Sequence, residues 1–341
     1  MPPINRASVH TDSPLTNFVV QYGDKAELAG MVMEVVTDNE SDEFYRMEQN
    51  ARRVSNIKRG DAVASAFVEL GLEKDTFSID EYAMHTVFGA RLLRAQHPAL
   101  KLLQRASVAL ESLIELEYDA QVFSLLTTDA NFATTHTATI AAGSEWDDYT
   151  DGDPLGNVDA DVDRLLTSVG SLPTGARLMG ACPVGVWNAL KHHPDVVERV
   201  KYSSAPGTPV ETGIVAGLMG LSDILVPRRP LNAAAETPDS LSNPKNNTRL
   251  WPDTTDQFVI AVVAGSVGNA PPNTASLSAY GSFGTHGLAV RRWSNNEELA
   301  SQDGPAEYLE PSKYWDLKIL CVDTLASGKS IASTQRKNCL A

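Results

Sequence analysis

Residues 98–127 read PALKLLQRASVALESLIELEYDAQVFSLLT, and the rest of the chain is organised around them. Leu102, Ala106, Ala109, Leu113, Leu116, Ala120, Phe123 and Thr127 step by four and three in turn, which sets them on one side of an α-helix. Nothing in the run breaks a helix, and Pro98 suits a first helical turn, where its missing N–H has no partner to lose. Thirty residues at ~1.5 Å each make a rod of ~45 Å. The spacing predicts that this apolar stripe is the buried face. The charges run the other way from the helix dipole: Lys101 and Arg105 stand near the N-terminal end, and Glu111, Glu115, Glu117 and Asp119 further along. Two explanations stay open, partners elsewhere in the fold or on another subunit, and simple solvation on an exposed face.

Outward from the rod, the chain of 341 residues suits two or three lobes. No segment approaches the ~18 uncharged apolar residues of a membrane span, and the N-terminus lacks a signal-peptide pattern, so neither export nor membrane insertion is expected. Cys182, Cys321 and Cys339 are far apart and show no C-x-x-C spacing, so they read as free thiols and not as a disulfide or zinc framework. A formal net charge of -15 argues against direct nucleic-acid binding by the chain as a whole, since that needs Lys and Arg to displace counterions. A container for nucleic acid is compatible with it.

Residues 1–33 read as an arm that completes its folding against something else. The following stretch opens acidic, with Asp38, Glu40, Asp42 and Glu43, and turns basic, with Arg46, Arg52, Arg53, Lys58 and Arg59. Alternation from 65 to 86 suits strands returning from a projecting loop. Beyond the rod, helices are expected from Pro154, Pro183 and Pro194, with Asp153 as a cap, and strands at 177–181, 224–226, 257–264, 288–293 and 316–323. The run QFVIAVVA at 257–264 predicts a strand buried on both faces. The polar residues 294–311 are expected as a hairpin or exposed loop.

The search for chemistry finds no catalytic constellation. Eight acidic residues lie between Glu145 and Asp163 with no Lys or Arg among them, but a calcium loop counted from Asp147 has Gly152 correctly at six and fails with Tyr149 at three and Val158 at twelve. Adjacent His192 and His193 point apart in a helix. There is no H-E-x-x-H, Walker lysine, G-x-G-x-x-G or G-x-S-x-G, and no metal or cofactor is expected.

Three blocks in series carry a resemblance. They are DSPLTNFVVQYGDKAELAGMVMEVVTDNESDEFYRM at 12–47, FSIDEYAMHTVFGARLL with the later IELEYDAQVFSLL and DANF at 77–132, and residues 153–203, which end in HPDVVERVKYS. Together they resemble the major capsid proteins of tailed bacteriophages. The resemblance implies an α+β chain with the Hong Kong phage capsid fold: an N-terminal arm (1–33), an extended E-loop (34–84), a peripheral domain with a long spine helix (85–150), an axial domain (151–284), and strands returning to the peripheral domain (285–341). It further implies a homo-oligomeric shell of hexamers and pentamers around double-stranded DNA, with portal, scaffolding or decoration proteins as partners, assembled in the host cytoplasm and found in the virion. No long, charged helical extension precedes the arm, so either a separate scaffold assists or none is needed. Arg52, Arg53, Lys58, Arg59, Lys101, Arg105, Glu111 and Glu115 are the candidate subunit-interface residues. The rival readings are an encapsulin-type protein compartment and a metal-dependent hydrolase built on the 145–163 carboxylates.

Overall fold

The computed structural model describes residues 10–23, 25–37, 39–47, 72–95, 101–133, 135–169, 175–203, 209–232, 247–252, 256–263, 277–282, 288–295, 306–320 and 325–329. Two sheets organise these residues. The strand Gln257–Val263 shows how they are joined. It is buried from Phe258 to its end, and its side chains alternate between two cores, as the two-residue period of a strand requires. Phe258, Ile260 and Val262 face a core built with Trp146, Leu155, Leu165, Trp187, Leu190 and Ile224. Val259, Ala261 and Val263 face another, with Leu28, Met31, Trp251 and the spine residues Val122 and Leu126. The uninterrupted apolar run predicted this double burial.

That strand is central to a five-stranded sheet ordered Thr137–Thr139, Leu325–Lys329, Gln257–Val263, Arg177–Ala181, Asp223–Leu225. Helices Pro154–Val169, Val184–His192, Pro194–Ser203 and Thr212–Leu218 accompany it, and side chains from all four enter the first core. Each of the first three begins where a proline was expected to start it. Asp153 acts as the cap expected of it, its Oδ1 accepting the Gly156 N–H at 2.8 Å.

The second sheet is built on Ala306–Ile319, a strand of 14 residues that pairs with Ala289–Asn295, Thr86–Phe88, Asp80–Ala83 and Leu277–Ser282 along its length. Met33–Thr37 joins Leu277–Ser282 in parallel, and His10–Thr11 closes the far edge. The spine helix, Leu102–Thr127, packs against the long strand. It is shorter than the predicted rod: Lys101 adopts a left-handed φ of 45°, which interrupts helical geometry, and Pro98 lies outside the described residues.

Three further differences come from pairing or packing with other segments of the chain. Ala306–Pro311, expected within a loop, is strand, because its residues Ala306, Tyr308 and Leu309 are buried in register with Ala289–Asn295. Leu325–Lys329 pairs with Gln257–Val263 and so joins the other sheet from its sequence neighbours. The arm helix Ser13–Tyr22 folds against its own chain, capped by Asp12, with Leu15 and Val19 buried on Val290 and Leu309.

The predicted projecting loop has its stem in the hairpin Ser41–Met47 and Leu72–Ser78, paired from Ser41↔Ser78 to Met47↔Leu72. Its root is fixed by Phe77 stacked on Tyr280 at 4.3 Å, and by the Ser78 N–H donating to Asp316. Seven residues at ~3.4 Å make each strand ~24 Å long, and Phe44, midway along, also packs against Tyr280 at 5.5 Å. No helix among the described residues is long and apolar enough to cross a membrane.

Candidate assembly surface

The spine helix is turned the opposite way from the one its apolar pattern predicts. Its buried residues are Ser107, Glu111, Ile114, Glu115, Asp119, Val122 and Leu126. At 100° per residue these centre roughly opposite the line through Ala109, Leu113 and Leu116. Leu113, expected at the middle of the buried face, is 46% exposed, and Ala109 is exposed beside it. The stripe is covered towards its two ends, where Ala106 packs against the Leu15, Val19, Val290 and Leu309 cluster and Phe123 meets Trp251 edge-on at 5.3 Å.

The cause is a set of partners that the helix sequence does not contain. Asp119 has no exposed surface; its Oδ1 accepts the Leu28 N–H and its Oδ2 the Glu27 N–H, both at 2.9 Å. Arg229 stands 3.5 Å from the same carboxylate, an ion pair too long for a hydrogen bond, and donates to the Lys25 carbonyl. Glu27 in turn accepts the backbone N–H groups of Arg228 and Arg229. Arm, spine and the segment after Asp223–Leu225 therefore meet at one buried charge network. Burial pushes the Asp119 carboxyl above its ordinary range, against the pull of the two N–H bonds and Arg229.

One turn earlier, Glu115 pairs with Lys313 of the long strand, and Glu111 lies against Gly23. A Cβ at position 23 would displace the Glu111 carboxylate and would lie 2.6 Å from the Val19 carbonyl oxygen, which as backbone cannot swing aside, so glycine suits the position. Burial draws the Lys313 amine down, and Glu111 and Glu34 oppose that shift. These groups line a crevice of about 340 Å³ between arm, spine and sheet. Glu111 and Glu115, each 5% exposed, thus belong to the interior of this chain. Their expected place on a subunit interface is corrected: the low-dielectric interior holds them because Lys313 is there.

The remaining interface candidates divide in two. Lys101 and Arg105 are exposed on the spine. Arg52, Arg53, Lys58 and Arg59 lie outside the described residues, at 48–71, beyond the hairpin stem. The acidic stretch surrounds a second cavity, of about 360 Å³, lined by Trp146, Asp151, Asp153, Asp161, Arg164 and Phe258 among others. Burial raises the Asp161 carboxyl to about 6, although Arg164 pairs with it at 2.8 Å. No group of three or more His, Cys, Asp or Glu placed to hold a metal occurs among the described residues.

Sequence reasoning missed Glu27, Asp119 and Arg229 as a unit. The available signal was the charge order along the spine, which opposes the helix dipole and finds its explanation for Glu111, Glu115 and Asp119 inside the fold.

No protein-family model and no curated protein matches the chain. Solved structures do match across nearly its whole length. A phage-related protein from Bordetella bronchiseptica superposes with a TM-score of 0.68 at 16% identity, over 94% of this chain and 97% of that one. The chain has the fold of phage capsid proteins. The subunit of the bacteriophage PhiM1 mature capsid matches with a TM-score of 0.54 at 13% identity, covering 90% of this chain and 87% of that one. The capsid of a native GTA particle gives 0.56 at 11%, over 91% of each.

Proposed function

We propose that this chain is the structural subunit of a phage-type icosahedral shell that encloses double-stranded DNA. One observation carries the reading. Two elements, the hairpin stem and the outward apolar side of the spine, leave the body of a chain with the capsid fold without covering each other. Subunits that tile a closed surface need such self-presenting contacts, repeated in every copy. The arm is then assigned to residues 1–33, the E-loop to 34–84, the peripheral domain to 85–150, the axial domain to 151–284 and the returning strands to 285–341, except that Leu325–Lys329 pairs in the five-stranded sheet with Gln257–Val263. Arg52, Arg53, Lys58 and Arg59, within the span 34–84 given to the E-loop, act between subunits in this reading, setting register more than adding affinity. A net charge of -15 suits a wall that holds DNA without gripping it. No catalytic step is assigned. Hexamers and pentamers, a portal and the virion follow as surroundings of such a subunit.

The test is expression of the chain alone and with a candidate scaffold, followed by electron microscopy. Closed, hollow particles are expected. A chain that stays monomeric in solution and in lysates of infected cells overturns the reading, and particles filled with protein cargo would reassign it to a protein compartment.

A further inference from the structure

Four exposed residues climb the outward side of the spine at intervals of four: Arg105, Ala109, Leu113 and Glu117. Residues four apart form a continuous ridge on a helix. Its composition is directional, with Lys101 and Arg105 at the N-terminal end, a small and a large apolar residue between, and a carboxylate at the far end. Neither Lys101 nor Arg105 has a side-chain ion pair among the described residues. Glu117 is held in place on the ridge by Gln121, whose Nε2 donates to it at 3.0 Å.

The ridge is its own complement. Turned end for end about position 111, it brings 105 opposite 117 and 109 opposite 113. We propose that Arg105, Ala109, Leu113 and Glu117 form a two-fold contact between two copies of this chain, with the spine helices antiparallel. Each Arg105 then faces Glu117 of the partner subunit. Each Leu113 enters the space left by the small side chain of Ala109 of the partner subunit. An isologous contact demands this self-complementarity, because one patch must serve as both halves. The arrangement also accounts for cations near the helix N-terminus, where the dipole disfavours them: antiparallel pairing sets them beside carboxylates of the second helix. Two ion pairs at the edge of an apolar contact set its register and direction.

The contact deepens the shell reading and rests on it for the identity of the partner, so the experiment separates the two. Wild type, Arg105→Glu, Glu117→Arg and an equimolar mixture of the two variants are compared at low salt, by sedimentation velocity and electron microscopy of the whole chain. Circular dichroism checks that each is folded. Either variant alone sets like charges opposite each other at both ends, and association falls about tenfold. In the mixture each contact again pairs opposite charges, and wild-type association returns. High salt narrows all the differences, since exposed charges are screened. Folded single variants that associate like wild type, or a mixture that fails to recover, overturn the two-fold contact while leaving a particle-forming wild type as a shell subunit. If wild type forms no particles, the shell reading falls. The ridge is then judged on the concentration dependence of a monomer–dimer equilibrium, and a chain that remains monomeric throughout overturns it too.

Discussion

Asp119 shows how a single carboxylate can hold three parts of a capsid-fold subunit in place. It satisfies two backbone N–H groups of the arm and faces Arg229, with no contact to water. Asp119→Ala leaves those donors and the guanidinium buried without their acceptor. Breaking a buried pair of this kind costs about 3–5 kcal/mol, so urea unfolding of the unassembled chain should show a loss of that order, against a total of ~5–15 for a typical domain. Hydrogen exchange should quicken first at Glu27 and Leu28, whose amides lose their partner. Asp161 works in the opposite sense. Its folded value of about 6 stands above the ~3.9 of an unfolded aspartate, because burial outweighs the attraction of Arg164. The folded state therefore binds the extra proton: the contribution of Asp161 is fully present below ~4 and is lost as pH rises through about 6. Asp161→Asn should accordingly gain ~1–2 kcal/mol over wild type at pH 7 and converge with it near pH 4. Equal stability differences at the two pH values would show that Asp161 does not titrate this way.

At the scale of the element, neighbouring spine residues give opposite expectations. Ile114 is 2% exposed and Leu113 is 46% exposed. Ile114→Asp sets an unpaired charge in the core and should abolish soluble expression, the cost being several kcal/mol. Leu113→Asp should leave circular dichroism and thermal unfolding of the unassembled chain within ~0.5 kcal/mol of wild type while lowering particle yield. From the stripe alone, Leu113→Asp is expected to destroy the fold. The buried side carries Glu111, Glu115 and Asp119, so the comparison of 113 with 114 tests the helix orientation directly. The apolar stripe was legible as a helix; its direction was not, because a stripe reports only that something apolar covers it. In the proposed shell, a neighbouring copy would do so as well as a core.

Across the whole molecule, the hairpin stem meets the body through Phe44, Phe77, Tyr280 and Asp316. Its exposed Lys74–Glu43 pair contributes little to stability, as surface pairs do. The basic residues beyond it are proposed to act on a neighbour. Arg52→Glu with Arg53→Glu should leave the unassembled chain folded and reduce particle formation, and raised salt should slow wild-type assembly, because exposed charges interact over only ~8 Å at physiological ionic strength. Light scattering during assembly checks both. A double variant that assembles at the wild-type rate with an unchanged salt dependence removes these residues from the contact.

Local rules were enough for much of this chain. Pro154 and Pro194 open their helices, where a fixed φ and a missing N–H suit the first turn, and Pro183 stands as the extended residue just before Val184–His192. QFVIAVV reads as a doubly buried strand because both of its alternating faces are apolar. The three blocks in series were enough to point to the capsid fold. What only the tertiary structure decided are the matters that depend on residues distant in the chain: that Leu325–Lys329 crosses to the other sheet, that the arm helix docks on Val290 and Leu309, and above all which side of the spine is inside. Burial of Glu115 and Asp119 is tolerable only because Lys313, Arg229 and the amides of Glu27 and Leu28 are brought to them from as far as 198 positions away. A helix sequence carries its own periodicity, but the partners that make a buried carboxylate affordable are supplied by the fold.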